Sequence, residues 1–347
     1  MNKNVALMIV PTGIGASIGG YAGDASKYAQ KVARNMTLIV NPNTVNAAVF
    51  SGITDNMLYV EGWAIEQFVK GNIGLLPSQN NKIGIIFDKA IPQEVLNIHI
   101  NTINAIKTVY DIDIIGYEIT KENSGVEFFN NENGISTGNL KNPTTLKETA
   151  KKLLEKGANA LAVVCYFEEP PEDDYENGEG VDIVGGIEAI ISHYLTKELL
   201  CPCVHAPAFA DTQITNKIVN PKVSAEYITP TFLPCLMFGL KNAPLLVKLN
   251  SENTEHPNFV SPSLQSKHNQ QLQTNLIANK NLHSIAVPHN SVGSSIVLDA
   301  IKNNIPVFAI KENSTVLDVN GYSIGKQNDI VELATYQEYS QLLIKEQ

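Results

Sequence analysis

The chain is short of cysteine, of basic charge and of long apolar runs, and each shortage removes a class of function. Against 35 acidic residues stand 25 Lys and Arg, for a formal net charge of −10. That balance argues against non-specific nucleic-acid binding, and no basic stripe interleaved with aromatics runs along the chain. No apolar run reaches membrane-spanning length, and Val5–Val10 is too short for a signal-peptide core, so neither nucleic acid nor a membrane is an expected partner. The four cysteines, Cys165, Cys201, Cys203 and Cys235, lack a paired C-x-x-C spacing. This argues against structural zinc and fits a reducing, cytoplasmic compartment.

What is present reads as a globular protein of 347 residues, 44% hydrophobic and 17% charged, long enough to bury one large core or two ordinary ones. Strands are expected at 5–10, 37–40, 82–87, 112–118, 160–166, 202–206, 246–249, 284–288 and 306–310. Helices are expected near 25–34, 92–109, 145–156, 185–199 and 294–303. This alternation predicts an α/β protein whose mostly parallel, doubly wound (Rossmann-like) sheet has helices on both faces, in one or two lobes. Residues 1–249 would form the main domain, the polar stretch 250–273 an exposed connection, and 274–347 a C-terminal α/β unit packed on or continuing the main sheet. The acidic segment Glu168–Asp182 reads as a solvated loop without a calcium-loop pattern.

The opening strand breaks into Thr12, Gly13, Gly15, Ser17 and Gly19 before a helical pattern. This offers backbone N–H groups to an anion, or else a tight crossing that needs small residues. The spacing is not the dinucleotide fingerprint and the Walker lysine is missing, so no cofactor, neither NAD nor a metal, is strongly signalled. In an open parallel sheet, ligands bind beyond the carboxyl ends of the strands. The second strand delivers Asn41, Asn43 and Thr44 there, a later one His205, the next His289, Asn290, Ser291 and Ser294, and the last Asn313, Ser314 and Thr315. These amides and hydroxyls are candidates to hold a carboxylate or phosphate, although Thr44 would also serve as a helix cap.

His205 and His289 follow apolar strands and are candidate acids or bases, with Glu61, Cys165 and Glu188 as further candidates. Glu188 and His193 are five residues apart on one helix, about 140° around it, and so need not share a role. His193 reads as a structural histidine.

The glycine turn 11–24, Tyr59-Val-Glu-Gly62, the run 182–193, His205-Ala-Pro207 and the run 305–318 together resemble the domain-of-unknown-function family numbered 3326, over nearly the whole chain. The resemblance implies a soluble cytoplasmic or plastid-type protein and carries over no catalytic residues. A partial resemblance links Asn41-Pro-Asn-Thr44 and Cys165 to the cofactor-independent aspartate/glutamate/hydantoin racemases, which work with two thiols. Here His289 stands where the second thiol is expected.

The leading expectation is a soluble enzyme acting on a small anionic metabolite by His, Glu or Cys acid-base chemistry. The alternatives are a nucleotide- or nucleotide-sugar-dependent transferase, a racemase- or lyase-like enzyme, and a non-catalytic metabolite-binding or assembly protein. Assembly into a homo-oligomer is compatible with each.

Overall fold

The computed structural model describes residues 4–168, 174–212, 214–249 and 275–345. The expected polar connection 250–273 lies outside them, as does part of the acidic segment. In chain order the elements are β1 (Val5–Met8), α1 (Ser26–Ala33), β2 (Thr37–Val40), α2 (Pro42–Val45), β3 (Asn46–Ala47), β4 (Phe50–Ser51), β5 (Met57–Tyr59) and α3 (Gly62–Lys70). There follow β6 (Ile73–Leu76), β7 (Ile83–Phe87), α4 (Gln93–Tyr110), β8 (Ile114–Ile119), β9 (Val126–Asn130), β10 (Ser136–Leu140), α5 (Pro143–Glu155), β11 (Ala160–Tyr166) and α6 (Gly185–Leu199). The remainder are β12 (Cys203–Ala208), α7 (Ser224–Tyr227), α8 (Leu233–Lys241), β13 (Leu245–Lys248), β14 (Leu282–Pro288), α9 (Ser295–Lys302), β15 (Val307–Ile310), β16 (Ile330–Leu333) and α10 (Tyr336–Lys345).

The protein is mixed α/β, with two parallel sheets. The first has six strands in the order β16-β15-β14-β1-β2-β5, and the second has four in the order β12-β11-β7-β8. Every pairing within both sheets is parallel. β14 lies directly beside β1, so the segment from 282 onward continues the sheet that the first strand begins, and residues 83–208 supply the second. The expected strand at 246–249 pairs antiparallel with β6, outside both sheets.

Strand periodicity explains how the first sheet is covered. Successive side chains of a strand point to opposite faces. Ala6, Met8 and Val10 join a core cluster with Ala29 and Val32 of α1 and Tyr336, Tyr339 and Leu343 of α10. Val5, Leu7 and Ile9 join another with Ile65, Phe68 and Val69 of α3 and Val297 and Ala300 of α9. All four residues of β1 are buried, which suits a central parallel strand covered on both sides. The first cluster extends to Ile85 and Phe87 of β7 and Leu236 and Leu240 of α8, which joins the two sheets through one core. A third cluster packs α5 and α6 on the other face of the second sheet. Among the described residues no helix is long and apolar enough to cross a membrane.

Three asparagines that follow strands of the first sheet brace the loops beyond it. Asn41 accepts from the Val10 N–H at 3.0 Å, donates to the Val10 carbonyl at 2.8 Å and accepts from the Thr44 hydroxyl at 2.7 Å. Asn313 ties both backbone groups of Ile18, and Asn290 ties Thr315 and Leu317. An Asn41→Ala substitution strands the buried Val10 N–H and removes one of two donors to the Val10 carbonyl, and we expect it to cost about 1–3 kcal/mol, read as a lowered urea midpoint at unchanged slope.

Candidate functional site

The carboxyl ends of the two sheets meet at the start of α6. Gly13 has φ of +74°, and a Cβ there would stand 3.2 Å from the Gly186 nitrogen and 3.1 Å from the Ser136 Cβ. A Cβ on Gly185 would press to 2.5 Å from the Thr12 Oγ1. The glycines of the opening turn are therefore needed for close approach to α6 and to the β9–β10 hairpin, whose Ser136 donates its backbone N–H to the Gly13 carbonyl.

Four donors in the second half of this turn are engaged by other segments or by a nearby side chain. The N–H groups of Ser17, Ile18, Gly19 and Ala22 go to the Ser314 carbonyl, Asn313 Oδ1, Asp24 Oδ1 and Glu226 Oε1 respectively. Two of these acceptors are carboxyl groups, so over Gly19–Ala22 acidic side chains stand where an external anion was expected. Gly15 abuts Val181 and Val316.

The other expected ligand-binding residues are likewise used internally. The Asn43 amide donates to the carbonyls of Val10, Pro11 and Gly19. Ser291 donates to the Pro288 carbonyl, Ser294 caps α9 at the Val297 N–H, Ser314 donates its N–H to Ser17 Oγ, and Thr315 is held by Asn290. Together they form a scaffold around the strand ends.

Of the expected acid-base residues, the structure brings Glu188 and His205 together. Glu188 lies in the first turn of α6 and His205 in β12, with Glu188 Oε1 3.6 Å from His205 Nε2 and both side chains largely buried. His205 Nδ1 is 3.0 Å from the Ser192 hydroxyl. That hydroxyl has one proton, directed at the carbonyls of Glu188 and Ala189 one turn earlier. The ring thus presents Nδ1 to that hydroxyl and Nε2 to Glu188.

Three further carboxyl groups gather around this pair. Burial pushes Asp182 up to about 8, helped by the charges of Glu188 and Glu226. Glu226 is pushed up to about 7, by burial first and with Glu188 and Asp24 contributing, against the N–H of Ala22 and the hydroxyl of Tyr175. Asp24 rises to about 6 through burial, opposed by the Gly19 N–H and by Lys222. Sequence reasoning assigned none of these three, nor Ser192, a role. Asp24, Asp182 and Ser192 stood within motifs already singled out, whereas Glu226 had no local signal.

Glu61 and Cys165 have different positions from those expected. Glu61 is the N-cap of α3, its Oε2 accepting from the N–H groups of Trp63 and Ala64, while its Oε1 meets His193 Nε2 at 2.8 Å. Both oxygens are committed to tying α3 to α6. Glu188 and His193 thus face separate partners, as their spacing requires. Cys165 is 1% exposed. Burial pushes its thiol well up, with the charge of Asp88 adding to the effect, the reverse of what a thiol base requires. His289 stands beyond β14 with its backbone N–H on the Asn313 carbonyl, and its buried Nδ1 has no hydrogen-bond partner in the structure. Among the described residues, no three His, Cys, Asp or Glu side chains are arranged to hold a metal ion.

With two parallel sheets meeting at a buried acid-base pair, the chain has the general build of a two-sheet α/β protein with its candidate site between the strand ends. It belongs to the family described as "Protein of unknown function (DUF3326)", which matches residues 5–346. It is similar to an "Uncharacterized lipoprotein" of Synechococcus sp. (strain ATCC 27144 / PCC 6301 / SAUG 1402/1). The two are 32% identical over 325 residues, which cover 92% of this chain and 85% of that protein. No solved structure matches.

The Glu61–His193 contact has a pH signature. Burial lowers the His193 ring, but the Glu61 carboxylate outweighs it and the net shift is upward. A raised histidine adds stability at acid pH that is lost as pH rises through the folded-state value. We therefore expect wild type to exceed His193→Gln in stability by more at about pH 6 than at about pH 8.5, measured by urea unfolding.

Proposed function

We propose that this protein is an enzyme that moves a proton on a small polar metabolite held between the two sheets, with Glu188 and His205 as the acid-base pair. The observation that carries the reading is the Ser192–His205–Glu188 contact, which turns one ring nitrogen to a hydroxyl and the other to a carboxylate. A ring whose orientation is set by a partner at each nitrogen is prepared for proton transfer. The surrounding Asp24, Asp182 and Glu226 favour a hydroxyl, an amine or a carbon acid as the part of the metabolite that meets the pair. They disfavour a phosphate or carboxylate at that point. A thiol-based racemase fits poorly, because Cys165 is buried and its thiol is held in the protonated form.

A second reading, the nucleotide-dependent transferase, is favoured by the first sheet. Numbered by their order along the chain, its strands run 3-2-1-4-5-6, the doubly wound, Rossmann-like order. Its ligand crevice opens between β1 and β14, where His289 stands. We also propose a cytoplasmic location, on the four unbridged, buried cysteines. The lipoprotein description of the Synechococcus relative offers a membrane-tethered alternative, and fractionation of cells separates the two.

The test begins with a thermal-shift screen of hydroxy acids, amino acids, sugars and nucleotides, in which a ligand at about a hundred times its dissociation constant adds about 2.7 kcal/mol. With the substrate so found, Glu188→Gln and His205→Gln are expected to lower turnover about 10²- to 10⁴-fold at unchanged melting temperature, and Cys165→Ala to leave turnover intact. Full turnover in both Glu188→Gln and His205→Gln would overturn the proposal. A shift with nucleotides alone that His289→Ala abolishes would establish the second reading in its place.

A further inference from the structure

The segment between β12 and α8 crosses from one sheet's loops to the other's and is held there by polar contacts. Asn220 binds the carbonyl of Glu176 through its backbone N–H and that of Asn177 through its side chain, both in the loop after β11. Lys222 reaches the Ser17 carbonyl at 3.4 Å and lies over the Tyr21 ring. Glu226 Oε1 accepts from the Ala22 N–H at 2.8 Å and from the Tyr175 hydroxyl at 3.1 Å. Tyr21 in turn donates to the Gly180 carbonyl and packs against Tyr175, with ring centroids 5.0 Å apart. Between residues 214 and 228 only Val223 is buried, while Ile214, Ile218 and Ile228 are exposed. Little apolar burial therefore resists its release, which places it among the segments that open at low cost.

The groups that face Glu226 are mostly of its own sign. Asp24 comes from the glycine turn, Asp182 and Tyr175 from the loop after β11, and Glu188 from α6. Lys222 from the segment itself and Lys27 from α1 act on Asp24, and Tyr336 of α10 senses Asp24 as well. Four carboxyl groups thus converge where three loops meet.

We propose that the segment Asn220–Ile228 is a strap that holds the glycine turn and the loop after β11 together while Glu226 and its neighbour Asp182 are protonated, and that lifts from the turn when they ionise. The sign follows from linkage. Glu226 and Asp182 hold their protons more tightly in the closed form than at their ordinary values. The closed form is therefore favoured at acid pH and loses that advantage as pH rises from the ordinary carboxyl range through about 7 and about 8. Lifting would uncover the carboxyl groups beside Glu188 from the side of the glycine turn. The inference rests on the loop contacts and stands whether or not Glu188 and His205 perform catalysis.

The test is hydrogen exchange of the full chain followed by mass spectrometry at about pH 6 and about pH 8.5, corrected for the intrinsic rate of exchange. In wild type, protection of peptides covering 17–24 and 220–228 should fall about tenfold at the higher pH. Glu226→Gln, which keeps the acceptor for the Ala22 N–H and removes the charge, should hold its protection at both values. Asp182→Asn, which removes one repelling neighbour, should retain protection to higher pH than wild type. Protection in wild type that does not change with pH, or the same pH dependence in wild type and both variants, overturns the strap.

Discussion

The arrangement of this protein around its strand ends depends on side-chain amides that replace the sheet where the sheet stops. A parallel ladder leaves backbone N–H and C=O groups unpaired at its carboxyl edge, and buried groups of that kind must find partners. An asparagine amide carries a donor and an acceptor on one planar group, so it can pair as another peptide would. Asn41 does this for Val10, Asn313 for Ile18, and Asn290 for Thr315 and Leu317. The glycine turn and the loops after β2, β14 and β15 are thereby held in one fixed relation.

This use of polar residues explains what could and could not be read from the sequence. The central strands and five of the ten helices among the described residues were legible because apolar runs and capping residues act locally. α3 was not anticipated, although its signals are present: Glu61 as cap, Ile65, Phe68 and Val69 on one face, and Gly71 in the left-handed region as its terminator. The polar residues after the strands were correctly placed at the carboxyl edges, yet residue type alone could not separate a group that binds a ligand from one that braces a loop. Asn41 and Glu188 look equally functional in sequence. Only the three-dimensional partners distinguish them, since Asn41 meets backbone and Glu188 meets His205.

The charge at the meeting of the sheets could not be anticipated for a related reason. Asp24, Asp182, Glu188 and Glu226 are spread over about two hundred positions and arrive by four different elements or loops. No window of sequence contains them together. The raised proton affinities of Asp24, Asp182 and Glu226 are a property of the assembly, created when the fold brings carboxyl groups out of water side by side.

The pairing of β1 with β14 has a bearing on how the chain reaches its fold. The four strands of the second sheet all come from residues 83–208 and can be assembled from one continuous stretch. The first sheet joins strands more than two hundred residues apart. During synthesis β1, β2 and β5 emerge long before β14, and until then one long side of β1 lacks its neighbour. Closing so large a loop is slow, and an apolar strand left open in the meantime is a template for pairing with other chains. Vectorial synthesis therefore leaves the N-terminal strands dependent on the last quarter of the polypeptide, and loss of that quarter would expose the centre of the first sheet rather than trim its rim.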